Sequence, residues 1–63
     1  MSLRELEVLK LLARGCKIRK IALALDIQEC TVRFHVGNIL DRLRVRNRTK
    51  AVYRYFRNGW LTD

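Results

Sequence analysis

Apolar residues recur along this chain at the three- and four-residue spacing of helices, and nowhere do they alternate as in strands. The stretch from Gln28 to Leu43 carries the clearest pattern. At 100° per residue, Val32, Val36, Ile39, Leu40 and Leu43 fall on one stripe. Cys30, Phe34, Gly37, Asn38 and Asp41 fall on the opposite side, with Arg33 on the flank. The stripe suits a core, and the opposite side is a small polar-and-aromatic surface.

Similar spacing predicts helices over about 3–14, 17–25, 29–44 and 48–58. Ser2-Leu3-Arg4-Glu5 has the form of a capping box, and Glu5 and Glu7 suit the positive end of the first helix dipole. Leu6, Leu9, Leu12 and Ala13, with Val8 beside them, make its inner face, and Gly15 stops it. Ile18, Ile21, Ala22 and Leu25 follow the amphipathic pattern of the second helix. Asp26-Ile27-Gln28 turns the chain, with Ile27 tucked inward. Two helices joined by so short a link form a helix-turn-helix unit, and the small Ala22 lets them cross closely. Asn47 suits the N-cap of the fourth helix. Its inner face is Ala51, Val52, Tyr55 and Phe56; Gly59 ends it, and Trp60-Leu61 folds back as an apolar flap.

The chain has 63 residues, no proline and 49% hydrophobic residues. It is read as one domain, 1–63, without linkers or repeats. A domain this small buries only about 60% of its unfolded surface. A catalytic cleft of ~300–1,000 Å³ would take most of its interior, so an enzyme is not expected. Cys16 and Cys30 are read as free, reduced, packed thiols, because the charged amphipathic start does not resemble a secretory signal. With two Cys and one His, a structural zinc site is a ligand short; no metal and no cofactor are expected. No apolar run approaches the ~20 residues of a membrane span.

Charge changes the picture most. The net charge is +8, and from Arg42 to Arg57 seven basic residues occur with no acidic one. Lys17, Arg19 and Lys20 form a second cluster. Such a balance is the electrostatic footprint of a polyanion binder, and the face bearing Phe34 is of a size that the DNA major groove admits.

The chain resembles the LuxR/GerE-type DNA-binding domain of quorum-sensing regulators and response-regulator output domains. The resemblance rests on Arg4-Glu5 with Glu7-Val8-Leu9, Leu11-Leu12-Ala13 with Gly15, Ile21-Ala22 with Leu25, and Ile27. It continues through Thr31-Val32-Arg33 with His35, Asn38-Ile39-Leu40 with Leu43, and Val45. Asn47-Arg48-Thr49 with Ala51-Val52, and Gly59, complete it. Region 4 of sigma factors shares the first three helices, but Asn47-Arg48-Thr49 and a fourth helix favour the LuxR/GerE type.

The resemblance implies an all-α, compact four-helix helix-turn-helix domain that binds double-stranded DNA as a homodimer. The third helix would lie in the major groove, and the fourth would supply dimer contacts. Family contact positions map to Lys17, Ile18 and Arg19, to Thr31, Arg33, Phe34 and Gly37 with His35 and Asn38 beside them, and to Arg48 and Thr49. Several residues depart from common family choices: Lys17, Ile18 and Lys20 on the second helix, Cys30 for a frequent Ser, and Gly37 for a long side chain. These departures bear on base specificity rather than on the fold.

Each candidate has a plainer alternative. Arg33 is expected to read guanine through O6 and N7, against a phosphate contact alone. Phe34 suits a thymine methyl, against a lone exposed aromatic. Gly37 is the third base-side position: it lets the helix approach closely, or costs ~1 kcal/mol of helix stability. Thr31 would bond a phosphate or cap its own backbone. His35 would pack or bond a phosphate, and Asn38, Arg48 and Thr49 join it as phosphate contacts. Lys17, Arg19 and Lys20 would attract phosphates too. Lys50, Tyr53, Arg54 and Arg57 would form the dimer face, or a solvated one whose charge weakens self-association without DNA.

The function expected is sequence-specific DNA binding by a bacterial transcription regulator in the cytoplasm, at the nucleoid. The alternatives are a protein-interaction module, with a partner such as RNA polymerase, and a non-specific basic nucleic-acid binder.

Overall fold

Ser2 and Glu5 open the first helix reciprocally. The Glu5 amide donates to Ser2 Oγ at 3.2 Å, and the Ser2 amide donates to Glu5 Oε1 at 3.2 Å, which completes the predicted capping box. The computed structural model describes residues 2–57. They form α1 (Leu3–Ala13), α2 (Ile18–Leu25), α3 (Glu29–Leu43) and α4 (Arg48–Arg57), with no strand among the described residues. The all-α four-helix expectation holds. Lys17 and Arg44 cap helices rather than belonging to them, a shift of one residue at fraying ends. Residue 58, Gly59 and the Trp60-Leu61 flap lie outside the described residues.

The first three helices end by one device. Gly15 (φ 87°), Asp26 (φ 56°) and Arg44 (φ 55°) take the left-handed conformation. The amide of the following residue then donates back five positions: Cys16 to Leu11 O at 3.1 Å, Ile27 to Ala22 O at 3.0 Å and Val45 to Leu40 O at 3.1 Å. This is the 6→1 bond of the Schellman motif, whose apolar contact locks the reversed chain onto its helix. Cys16, Ile27 and Val45 all pack against the core. The inward Ile27 of the sequence reading is thus one of three such plugs.

The core is built from Val8, Leu9 and Leu12 of α1, Ile21 and Ala22 of α2, Val32, Val36, Ile39 and Leu43 of α3, and Ala51 and Tyr55 of α4. Helix α3 packs against all three others, so its apolar stripe is covered from behind. Four expectations are corrected. Leu6 and Phe56 are exposed: each lies about one residue step off its helix's buried face, and hydrophobicity alone does not set the edge of a stripe. Glu7 lies beyond the first turn of α1 and pairs instead with Arg4, Nη1 to Oε1 at 3.5 Å. Cys30 is an exposed thiol rather than a packed one, whereas Cys16 is half-buried; both are free.

Candidate nucleic-acid interface

The outward face of α3 follows from what its inward face buries. With Val32, Val36, Ile39 and Leu43 inside, helical geometry turns Arg33, Phe34 and Gly37 outward, and all three are exposed. Phe34 keeps 66% of its surface in solvent. A Cβ built on Gly37 would meet nothing within 4 Å, so no packing among the described residues demands a glycine there. Asn38 and Thr31 are half-buried at the borders of this face.

Two of the outward side chains have neighbours on α3. Arg33 Nη2 stands 3.5 Å from Glu29 Oε1, an i,i+4 ion pair. The Phe34 and His35 rings meet edge to face, with centroids 6.0 Å apart and planes at 62°. His35 is half-buried, and its Nδ1 is buried without a hydrogen-bond partner among the described residues. Sequence reasoning missed Glu29 as a site residue, although its spacing to Arg33 was readable.

The helix N-termini divide into two kinds. Ser2 caps α1, and Asn47 Oδ1 accepts from the Lys50 amide at 2.9 Å to cap α4 as predicted. Lys17 and Gln28, the N-caps of α2 and α3, make no side-chain cap hydrogen bond. Their first-turn amides therefore keep donors available to an external acceptor. Arg19 and Lys20 are exposed on the first turn of α2.

The fold also joins residues distant in sequence. Lys17 shares an open groove of about 450 Å³ with Arg48 and Thr49, floored by Leu12, Ala13, Gly15, Cys16 and Val52. A second groove, of about 390 Å³, places Arg19 with Gln28, Glu29 and Cys30 where α2 meets α3. On α4, Lys50, Tyr53, Arg54 and Arg57 are exposed, and Arg57 Nη1 donates to Tyr53 Oη at 3.4 Å. Among the described residues no group of three or more His, Cys, Asp and Glu could hold a metal ion. No helix among them is long and apolar enough to cross a membrane.

Comparison with known proteins gives the family of the chain. The GerE family model, bacterial regulatory proteins of the luxR family, matches residues 1–55. The chain is 48% identical over 58 residues to the transcriptional regulatory protein DegU of Brevibacillus brevis, covering 92% of this chain and 25% of that protein. It is 44% identical over 58 residues to the transcriptional regulatory protein DesR of Bacillus subtilis, covering 92% of this chain and 29% of that protein. With the response regulator protein VraR of Staphylococcus aureus the identity is 46% over 58 residues, covering 92% and 28% respectively. The chain thus spans about a quarter of the length of these relatives. The matched family consists of regulators, so the chain is not an enzyme. It belongs to the luxR family of bacterial regulatory proteins.

Proposed function

We propose that this chain is the sequence-specific DNA-binding unit of a bacterial transcription regulator, acting in the cytoplasm on the nucleoid. Helix α3 enters the major groove with Arg33, Phe34 and Gly37 toward the bases. Arg33 bridges a guanine through O6 and N7, and Phe34 covers a thymine methyl. Lys17, Arg19 and Lys20, Thr31 and Asn38, and Arg48 and Thr49 hold the flanking phosphates. The observation that carries this reading is the pairing of a buried aliphatic stripe on α3 with an exposed Phe34 on its far side. The uncapped N-termini of α2 and of α3 itself and a groove bearing Lys17 and Arg48 add donors and positive charge suited to phosphates.

Two copies bind together on DNA, with half-sites about one helical turn (~34 Å) apart and α4 faces adjoining through Lys50, Tyr53, Arg54 and Arg57. The positive charge of that face opposes pairing in free solution and is offset when phosphates lie beside it. Gel shift of selected sites against random duplexes, at two salt concentrations, tests the reading. Selected sites should bind more tightly at both. Equal affinity for every duplex would identify a non-specific binder, and no shift at low salt would redirect attention to a protein partner.

A further inference from the structure

We infer that His35 is a positioning residue: its ring fixes the plane in which Phe34 is presented, and thereby the preference for thymine at the base pair Phe34 meets. The inference rests on the reading that α3 lies in the major groove.

Adjacent residues on a helix do not face each other. The edge-to-face contact of Phe34 and His35, at 6.0 Å and 62°, therefore reflects a specific choice of rotamer by both rings. Its geometry lies within the range in which aromatic pairs attract. An exposed phenylalanine otherwise loses side-chain freedom when it is fixed against DNA, and a ring braced beforehand loses less. His35 is a suitable brace because it is half-buried, next along the helix to the buried Val36 and one turn from the buried Val32 and Ile39.

The second observation is the buried, unpartnered Nδ1 of His35. An unpaired buried nitrogen is a net loss to folding, and an apolar side chain at this position would remove it. The buried nitrogen therefore adds nothing to stability, and the aromatic contact that the ring makes is with Phe34. A phosphate contact, the role suggested by family resemblance, leaves that ring contact unused.

The test uses a selected DNA site in which each thymine is replaced in turn by deoxyuridine, which deletes only the 5-methyl group. Unmodified protein should lose affinity at one thymine, and Phe34→Ala should abolish that loss. His35→Leu should fold as well as the parent and keep the salt dependence of binding, yet reduce the methyl discrimination by about threefold or more. His35→Phe, which restores an aromatic edge, should recover it. If His35→Leu folds poorly, His35→Gln provides the same comparison without a ring.

Methyl discrimination that Phe34→Ala abolishes and the ring-deleting variants leave intact would overturn the brace while leaving the groove reading in place. A uniform loss of affinity with a shallower salt dependence would overturn it in favour of a phosphate contact. Absence of any methyl effect, or of DNA binding by the parent protein, would remove the groove reading of Phe34 and the brace together.

Discussion

Arg42 Nε lies 3.5 Å from Glu5 Oε1, tying the last turn of α3 to the first turn of α1. Glu5 is only 6% exposed, and the same carboxylate oxygen accepts the Ser2 amide. One carboxylate thus closes a helix start and joins it to the C-terminal part of the proposed recognition helix. Glu5→Ala should destabilise the domain by about 1–2 kcal/mol, because a cap and an ion pair are lost together. Arg42→Ala should cost under about 1 kcal/mol, since the guanidinium is largely in solvent. Urea unfolding followed by circular dichroism measures both. Equal costs would show that the carboxylate acts mainly through Arg42.

Gly37 permits a clean separation of stability from binding. It lies inside α3, and nothing there blocks a Cβ. Gly37→Ala should stabilise the domain by about 0.5–1 kcal/mol. If the glycine allows close approach to the groove floor, the same variant should bind its selected site more weakly despite its higher melting temperature. Unchanged binding would leave Gly37 without a role in recognition.

Arg44 is a long, β-carbon-bearing residue at φ 55°, where the left-handed conformation costs about 1–2 kcal/mol for an ordinary residue. Arg44→Gly should relieve that strain. Part of the gain is returned through the greater freedom of glycine in the unfolded chain, so a net stabilisation of about 0.5–1 kcal/mol is expected. Asp26→Gly should gain less, because aspartate tolerates this conformation better. Thermal melts of the two variants provide the comparison.

Arg33 and Lys17 should fail in different ways. Arg33→Ala should cost about 1–3 kcal/mol on the selected site and relax the preference at one base pair. Lys17→Ala should weaken every duplex alike and reduce the slope of log K against log salt by about 1. If Lys17, Arg19, Lys20 and Arg48 each neutralise one phosphate per copy, the parent slope should be about −3 to −4. Matching sequence profiles for the two variants would contradict the assignment of base and phosphate roles.

Glu29 holds the Arg33 guanidinium on the surface of α3 and adds a negative charge where phosphates would approach. Glu29→Gln should cost about 0.3–0.5 kcal/mol of stability, as expected for an exposed i,i+4 pair. Binding to random duplexes should strengthen more than binding to the selected site, so the ratio between them falls. A rise in that ratio would mean that Glu29 hinders the specific contact rather than wrong ones.

Much of this architecture was already written in local chemistry. The capping box at Ser2 and Glu5, the cap at Asn47 and the stop at Gly15 need only residues three or four positions apart, so the linear order suffices to show them. The stripe of Val32, Val36 and Ile39 likewise implied an outward Phe34, because a single helix sets both directions. Other features depended on which surfaces the helices cover in three dimensions. Leu6 and Phe56 are as apolar as their buried neighbours, and only the packing of α1 and α4 decided that they face water. The pairing of Glu5 with Arg42, and the groove that sets Lys17 beside Arg48, join positions tens of residues apart. Helical periodicity carries no information over such distances; the crossing of packed helices determined them.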